Sequence, residues 1–404
     1  MNSIKNVHQV ADRINTMGES ATLKMAQLAR ELSAQGHKVI SLSLGEPDFD
    51  TPDHIKKAAI KALEDGFTKY TPVPGIPELR EAIAAKLLRD NQLSFKSSQI
   101  VVSNGAKQSI ANLSLSLLQE GDEAIILAPY WVSYKEIIEL SEAKAVFVKA
   151  GIEQDFKVNA AQLKAAITDK TRMVLFSSPC NPTGSVFSRA ELKALADVIA
   201  EYPKIVVVSD EIYEYINFTE KGHCSIAEFE VLKDRCVVVN GFSKGFAMTG
   251  WRLGYIAAPQ WIANACIKIQ GQVTSGANSF GQKAAAHALM SDLSPTFEMT
   301  KAFRQRRDIF VKILNEVPGF KVNNPQGAFY VFPDISELFG KSDGNTVIRN
   351  DEDLCDYLLY NAHVAIVAGS AFGAPNCVRL AYSLGEENLR EAVRRIKEAV
   401  LKLK

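Results

Sequence analysis

Along most of the chain, short apolar runs rich in β-branched residues alternate with longer stretches of helical period. "QIVVS" (99–103), "EAIILA" (123–128), "RMVLFS" (172–177), "KIVVVSD" (204–210) and "RCVVVNG" (235–241) lack the polar alternation of a half-exposed strand. They predict strands buried on both faces. Helical patterns lie between most of them. "TPDHIKKAAIKALEDG" (51–66) places Ile55, Ala59, Ala62 and Leu63 on one stripe, with Pro52 near its start and Gly66 past its end. "ENLREAVRRIKEAVLKL" (387–403) repeats the pattern with Leu389, Val393, Ile396, Val400 and Leu403. The alternation predicts an α/β fold with a largely parallel central sheet covered by helices on both faces, and leaves the strand order open.

After about residue 285 the texture changes. A charged helical stretch, "TFEMTKAFRQRRDIFVKILNEV", precedes short strand patterns "GAFYVFPD", "VAIVAG" and "CVRLAYS" and the terminal helix, with "GKSDGNTVIRNDED" read as an exposed loop. This predicts a smaller α+β domain. The first 40 or so residues contain a helical pattern without the strand rhythm and are expected to pack with it. The expected division is a large domain over 46–285, and a small one from 1–45 and 286–404.

Composition narrows the classes. Lys plus Arg equals Asp plus Glu at 46 each in 404 residues, which gives no electrostatic reason to expect nucleic acid or an anionic membrane as partner. "MNSIKNVHQVADRIN" lacks an apolar signal core, and no run reaches membrane-spanning length. The six cysteines (180, 224, 236, 266, 355, 377) form no CxxC pair, as expected of reduced thiols in a cytoplasmic protein. The six histidines show no HExxH or similar spacing, so no metal is expected.

The chemistry lies in the residues just past each strand, because open parallel sheets bind ligands at the carboxyl ends of their strands. "IVVS" runs into Asn104-Gly105-Ala106-Lys107 and "AIILA" into Pro129-Tyr130-Trp131. "MVLFSS" runs into Pro179-Cys180-Asn181-Pro182-Thr183-Gly184, "IVVVS" into Asp210-Glu211-Ile212-Tyr213, and "CVVVN" into Gly241-Phe242-Ser243-Lys244. One sheet edge thus gathers an anion cradle, an aromatic plate, an amide, a carboxylate with a phenol, and an amine. Gly105-Ala106 opening a helix is either a tight turn or a phosphate site, and lacks the GxxxxGK[ST] spacing of a nucleotide loop. Taken alone, Trp131 reads more readily as a core or interface residue, Tyr213 as core, and Asn181 before Pro182 as a turn former. Asp210 is different: after four apolar residues its carboxylate is desolvated and needs a cationic partner to stay ionised.

Lys244 is the sharpest case. It lies just past a buried strand between Phe242 and Phe246, with the next cation at Arg252. An amine in an apolar pocket has a lowered pKa and can form an imine with an aldehyde. Arg252 offers a planar fork suited to phosphate.

These residues sit in motifs that together resemble the fold-type I pyridoxal-phosphate aminotransferases of class I, in the bacterial aspartate aminotransferase subgroup that includes prephenate-using members. The likeness runs nearly end to end, through "SLGEPDFDTP", "KYTPVPGIPELREAI", "NGAKQ", "APYWVSY", "SSPCNPTG", "SDEIYE", "SKGFAMTGWRLGY" and "CVRLAYS". The resemblance implies that Lys244 holds pyridoxal phosphate as a Schiff base and later moves the substrate proton. It implies that Asp210 pairs with the pyridine nitrogen, that Tyr213 and Asn181 bond the ring's 3′-oxygen, and that Trp131 stacks on the ring. Gly105, Ala106, Ser243 and Arg252 would hold the phosphate, with Lys107 beside them. Tyr70 would reach the phosphate of a neighbouring subunit, which implies a homodimer. Arg379 would clamp the substrate α-carboxylate with Gly45 and Asn181; without the resemblance it reads as the outward charge of an alternating strand. In this subgroup a lysine at the position of Lys107 would take the distal carboxylate, helped by Ser20 and Thr22.

The implied activity is transfer of an amino group from aspartate to 2-oxoglutarate. Alternatives are a prephenate or aromatic aminotransferase, a β-lyase, or a non-enzymatic cofactor-binding regulator, which would carry an additional DNA-binding domain. Three departures stand out: Gly241 replaces a phosphate-binding serine common in class I, no arginine matches the one that some aspartate aminotransferases borrow from the partner subunit for the distal carboxylate, and Gly18-Glu19 replaces a basic residue of prephenate-using relatives.

Overall fold

In the computed structural model, residues 10–404 are described. Among the described residues twelve strands occur in chain order: β1 (Ile40–Ser41), β2 (Ile100–Ser103), β3 (Glu123–Ala128), β4 (Lys144–Lys149), β5 (Thr171–Ser177), β6 (Val206–Asp210), β7 (Cys236–Gly241), β8 (Gly254–Ala257), β9 (Tyr330–Val331), β10 (Val364–Ala365), β11 (Val367–Ala368) and β12 (Val378–Ala381). Seven of them build one sheet in the order β2-β8-β7-β6-β5-β3-β4. All neighbours are parallel except that β8 runs antiparallel to both β2 and β7. The five strands expected from the sequence are all in this sheet, and every residue of β2, β3, β6 and β7 is buried. Two further strands go beyond that expectation. β4, "KAVFVK", is an edge strand with exposed lysines at both ends, and β8, "GYIA", is too short to show a period.

The direction of β8 positions the site. Because β8 opposes both neighbours, β2 points the same way as β3, β5, β6 and β7, and all five carboxyl ends share one edge. The amino end of β8 reaches that same edge, which delivers Arg252 from the residues just before it. Gly254 stands between Ser103 and Gly241 in register. A Cβ on Gly254 would lie 2.2 Å from the Ala106 nitrogen, and one on Gly241 would lie 2.8 Å from both the Gly254 Cα and the Leu253 oxygen. The glycine at 241 therefore lets two backbones approach where a serine would hold them apart.

The remaining strands are short. β1 pairs parallel with β10, and β11-β12-β9 form a three-stranded antiparallel sheet. One apolar cluster draws on Met25, Ala29 and Leu42, on Tyr213, Ile216 and Phe218, and on residues from Met299 to Leu403. Helices occupy Asp53–Glu64, Ser294–Leu314 and Glu386–Val400, near the expected bounds. The terminal stripe is buried throughout, but on the earlier helix Leu63 is 45% exposed while Ile55, Ala59 and Ala62 are buried. The stripe there is narrower than the apolar residues suggest. The stretch 340–353 is not simply an exposed loop: Ile348 and Asp351 are buried, and Asp351 opens the helix Asp351–Ala362. Among the described residues no helix is long and apolar enough to cross a membrane.

Candidate active site

At the shared strand edge lies a cavity of about 350 Å³ lined by Lys244, Asp210, Tyr213, Asn181, Arg252 and Arg379, among others. Gly45, Ala106, Lys107, Trp131 and Ser243 line it as well, and Ser20 and Thr22 close one side. Residues expected from seven of the eight separated motifs are thus neighbours. Tyr70 is not in this cavity; its residue is 100% exposed.

Lys244 follows β7 in a turn whose flanks, Phe242 and Phe246, are buried. Its Nζ donates to the Gly45 carbonyl. Burial lowers its pKa to about 8, with Arg379 and Arg252 pushing the same way and Glu46 and Asp210 opposing. Asp210 ends β6 at 4% exposure, and burial pushes its carboxyl up to about 6. Two donors temper that rise: the Tyr134 hydroxyl at 2.6 Å and the Ile212 amide at 3.2 Å. The Tyr213 hydroxyl meets that of Tyr330 at 2.7 Å, both buried.

The anion cradle is built by backbone geometry. Gly105 caps the helix Ala106–Leu117 with φ 86°, a left-handed value that favours glycine, and a Cβ there would lie 2.4 Å from an Arg252 Nη atom. Arg252 is itself left-handed at φ 57°, steadied by Nη1 donating to the Thr249 oxygen at 2.9 Å. Lys107 lies 4.9 Å from the centre of the Trp131 ring, and burial, with Arg252 nearby, lowers its pKa.

Arg379 corrects the bland reading of an outward charge on an alternating strand. On β12 it is 2% exposed, with Nη1 donating to Asn181 Oδ1 at 2.9 Å and Nη2 to the Ser43 oxygen. Its guanidinium lies over Tyr330 at 4.6 Å and Phe372 at 4.9 Å, and its buried Nε has no hydrogen-bond partner among the described residues. Lys107, Lys244, Arg252 and Arg379 against Asp210 leave the lining with an excess of positive charge. That suits a ligand carrying phosphate and carboxylate groups.

Two tyrosines at the site go unmarked in the sequence. Tyr134 stands in the quoted "APYWVSY" and Tyr330 in "GAFYVFPD", but nothing local to either stretch shows that their hydroxyls reach Asp210 and Tyr213. A group of metal-ligand type is equally unmarked: Glu211, Glu214 and His223 bring one ligand atom each within 4.8 Å of one another. Those groups are engaged internally. Glu214 accepts from Lys86 and from Asn91 at 3.0 Å, and Glu211 from Ser209 at 2.8 Å and Ser225 at 2.6 Å, with His223 Nε2 2.8 Å away.

A buried low-pKa lysine, a carboxylate at the end of the adjacent parallel strand and a glycine-capped helix start beside Arg252 are the arrangement expected of a pyridoxal-phosphate enzyme of the aminotransferase fold. Comparison with known proteins makes that specific. The family profile described as aminotransferase class I and II matches residues 37–396, and the chain belongs to that family, whose members use pyridoxal phosphate. A bifunctional aspartate aminotransferase and glutamate/aspartate-prephenate aminotransferase of Petunia hybrida is 46% identical over 401 residues, 98% of this chain and 83% of that protein. A probable aspartate/prephenate aminotransferase of Rhizobium leguminosarum bv. phaseoli is 47% identical over 389 residues, 96% of this chain and 97% of the other. The crystal structure of the aspartate aminotransferase from Rhizobium meliloti superposes with a TM-score of 0.95 at 40% identity, covering 98% and 100% of the two chains. That of Thermus thermophilus aspartate aminotransferase with maleate gives 0.91 at 38% identity, covering 97% and 99%.

Proposed function

We propose that the enzyme transfers the amino group of L-aspartate to 2-oxoglutarate. The observation that carries the reading is the pair of cations, Arg379 and Lys107, lining one cavity with Lys244, which suits substrates with two carboxylates. The names of the relatives support the same substrate class. Bound pyridoxal phosphate supplies an electron-withdrawing ring that stabilises negative charge at the substrate Cα. Lys244 Nζ, with a pKa lowered to about 8, is partly neutral near pH 7 and takes and returns the Cα proton. Asp210 would hold the ring nitrogen, and Tyr213 with Asn181 the ring's 3′-oxygen. Gly105, Ala106, Ser243 and Arg252 would take the phosphate, with Trp131 against the ring. Arg379, with Asn181 and Gly45, would receive the α-carboxylate. Lys107, with Ser20 and Thr22, receives the distal carboxylate.

The reading extends to assembly and to domains. Tyr70, fully exposed on its own chain, completes the phosphate site of a second copy in a homodimer in the cytoplasm. Residues 46–285 form the cofactor-binding domain, and 1–45 with 286–404 form the smaller one. The parallel pairing of β1 with β10 supports that division.

The test is oxaloacetate release from aspartate and 2-oxoglutarate, followed in a coupled assay. Faster turnover of an aromatic or aliphatic donor would overturn the reading, and ammonia with pyruvate from a β-substituted amino acid would mark a lyase. A second reading, amination of prephenate, is favoured by the names of several relatives and uses the same two cations. Against it, Glu19 occupies the position of a basic residue, and the Gly18 amide is tied to Glu136 Oε2 at 3.1 Å. Prephenate offered as acceptor in the same assay separates the two.

A further inference from the structure

Asp210 and Trp131 follow different strands, yet one side chain touches both. Tyr134 lies on the helix Ser133–Leu140 and is 0% exposed. Its hydroxyl donates to Asp210 Oδ2 at 2.6 Å, and its ring meets Trp131 edge-on at 5.5 Å and 88°. We propose that Tyr134 is a positioning residue: its hydroxyl keeps Asp210 an anionic acceptor, so that the proton shared with the ring nitrogen of pyridoxal phosphate stays on nitrogen, while its ring sets the plane of Trp131.

A buried carboxylate favours its protonated form unless donors stabilise the charge, and a protonated Asp210 gives the ring nitrogen no counter-charge. Two hydrogen-bond donors meet Asp210, one on each oxygen: the Ile212 amide on Oδ1 and the Tyr134 hydroxyl on Oδ2. The shorter of them is Tyr134. Burial first, and then the Asp210 charge itself, hold the phenol well above its ordinary range, so it stays a donor and does not compete for the role of anion. With Oδ2 held by Tyr134 and Oδ1 by Ile212, Asp210 has a fixed orientation and keeps acceptor capacity where it lines the cavity. The ring contact adds a second constraint, because Trp131 is only half-buried and is held on one side by Tyr134.

The inference rests on the assignment of Asp210 to the ring nitrogen, and the experiment separates the two. The holoenzyme is loaded with pyridoxal phosphate labelled with 15N in the ring, and its nitrogen shift and cofactor dissociation constant are measured. Tyr134→Phe keeps the ring and removes the donor. It is expected to move the shift from the protonated toward the unprotonated range and to weaken cofactor binding about ten-fold, the scale of a hydrogen bond to a charged group. Asp210→Asn is expected to move the shift fully. If Asp210→Asn moves it and Tyr134→Phe does not, the inference is overturned and the Asp210 assignment stands. An unmoved shift in Asp210→Asn overturns both. Should Tyr134→Phe fail to fold, 3-fluorotyrosine at 134, a stronger donor of nearly the same size, carries the test. Cofactor release is expected to slow, and unchanged or faster release overturns the proposal.

Discussion

Asp210 and Glu211 are chain neighbours, both almost fully buried at the end of one strand, and both carry a carboxylate. Asp210 lines the cavity and keeps capacity for a ligand. Glu211 does not line it, and its oxygens are taken by Ser209, Ser225 and His223, with Lys86, Asn91 and Glu214 adjoining. In that second cluster Lys86 answers Glu214 and His223 answers Glu211; burial disfavours charge on the imidazole, yet the Glu211 carboxylate holds its pKa above the ordinary value. The lesson is that burial of charge does not by itself mark a reactive site. What differs is where the carboxylates face: the Glu211 oxygens are met by Ser209, Ser225 and His223 away from the cavity, while Asp210 lines it and can still meet a ligand.

The largest test of this contrast is Lys244→Ala, which removes both the covalent anchor and the base. Turnover is expected to fall by at least about 10⁴-fold with melting of the cofactor-free protein little changed. Lys86→Met is the mirror experiment. It leaves Glu214 buried without its cation and is expected to cost about 3–5 kcal/mol of stability, read by denaturant unfolding, with kcat of the folded fraction retained. Loss of kcat at unchanged stability would contradict the division of roles.

Next comes pH. The folded Asp210 carboxyl titrates at about 6 against 3.8 for its ordinary value, so the folded chain binds more protons than the unfolded one between those limits. Stability of the cofactor-free protein therefore falls as pH rises from about 4 to 6, by up to about 3 kcal/mol from this group, and the Asp210→Asn variant loses that slope. Lys244 acts in the opposite sense higher up: with its pKa lowered to about 8 from 10.5, stability rises with pH across that window. The smallest effect is expected from Arg379→Lys. It keeps the charge and loses the fork, raising KM for both substrates and lowering kcat/KM about thirty-fold, near 2 kcal/mol, measured by steady-state kinetics.

Much of the site could be read from the chain because its parts sit at strand ends, where local texture betrays them. Asp210 after an apolar run, Lys244 between two phenylalanines and Gly105 before a helix are each local signals. Arg379 and Tyr70 needed the family resemblance, since neither stretch shows a local reason for its arginine or tyrosine to bind a ligand. β4 and β8 escaped because one is an edge strand framed by lysines and the other has four residues. Tyr134 and Tyr330 escaped because their significance is a partner, 76 and 117 residues away respectively.

By itself, then, the sequence determined the alternation of buried strands and helices, the chemical groups at the strand ends, and the family. It did so because period, turn chemistry and motif spacing are local properties of the chain. Only the tertiary structure decided which groups meet: that Lys244 reaches the Gly45 carbonyl across 199 residues and Arg379 reaches Asn181 across 198. It also decided that Asp210 opens to the cavity while Glu211 closes on a network of its own. The physical reason is that strand order and the antiparallel insertion of β8 choose the neighbours, and that choice sets the hydrogen bonds between distant segments.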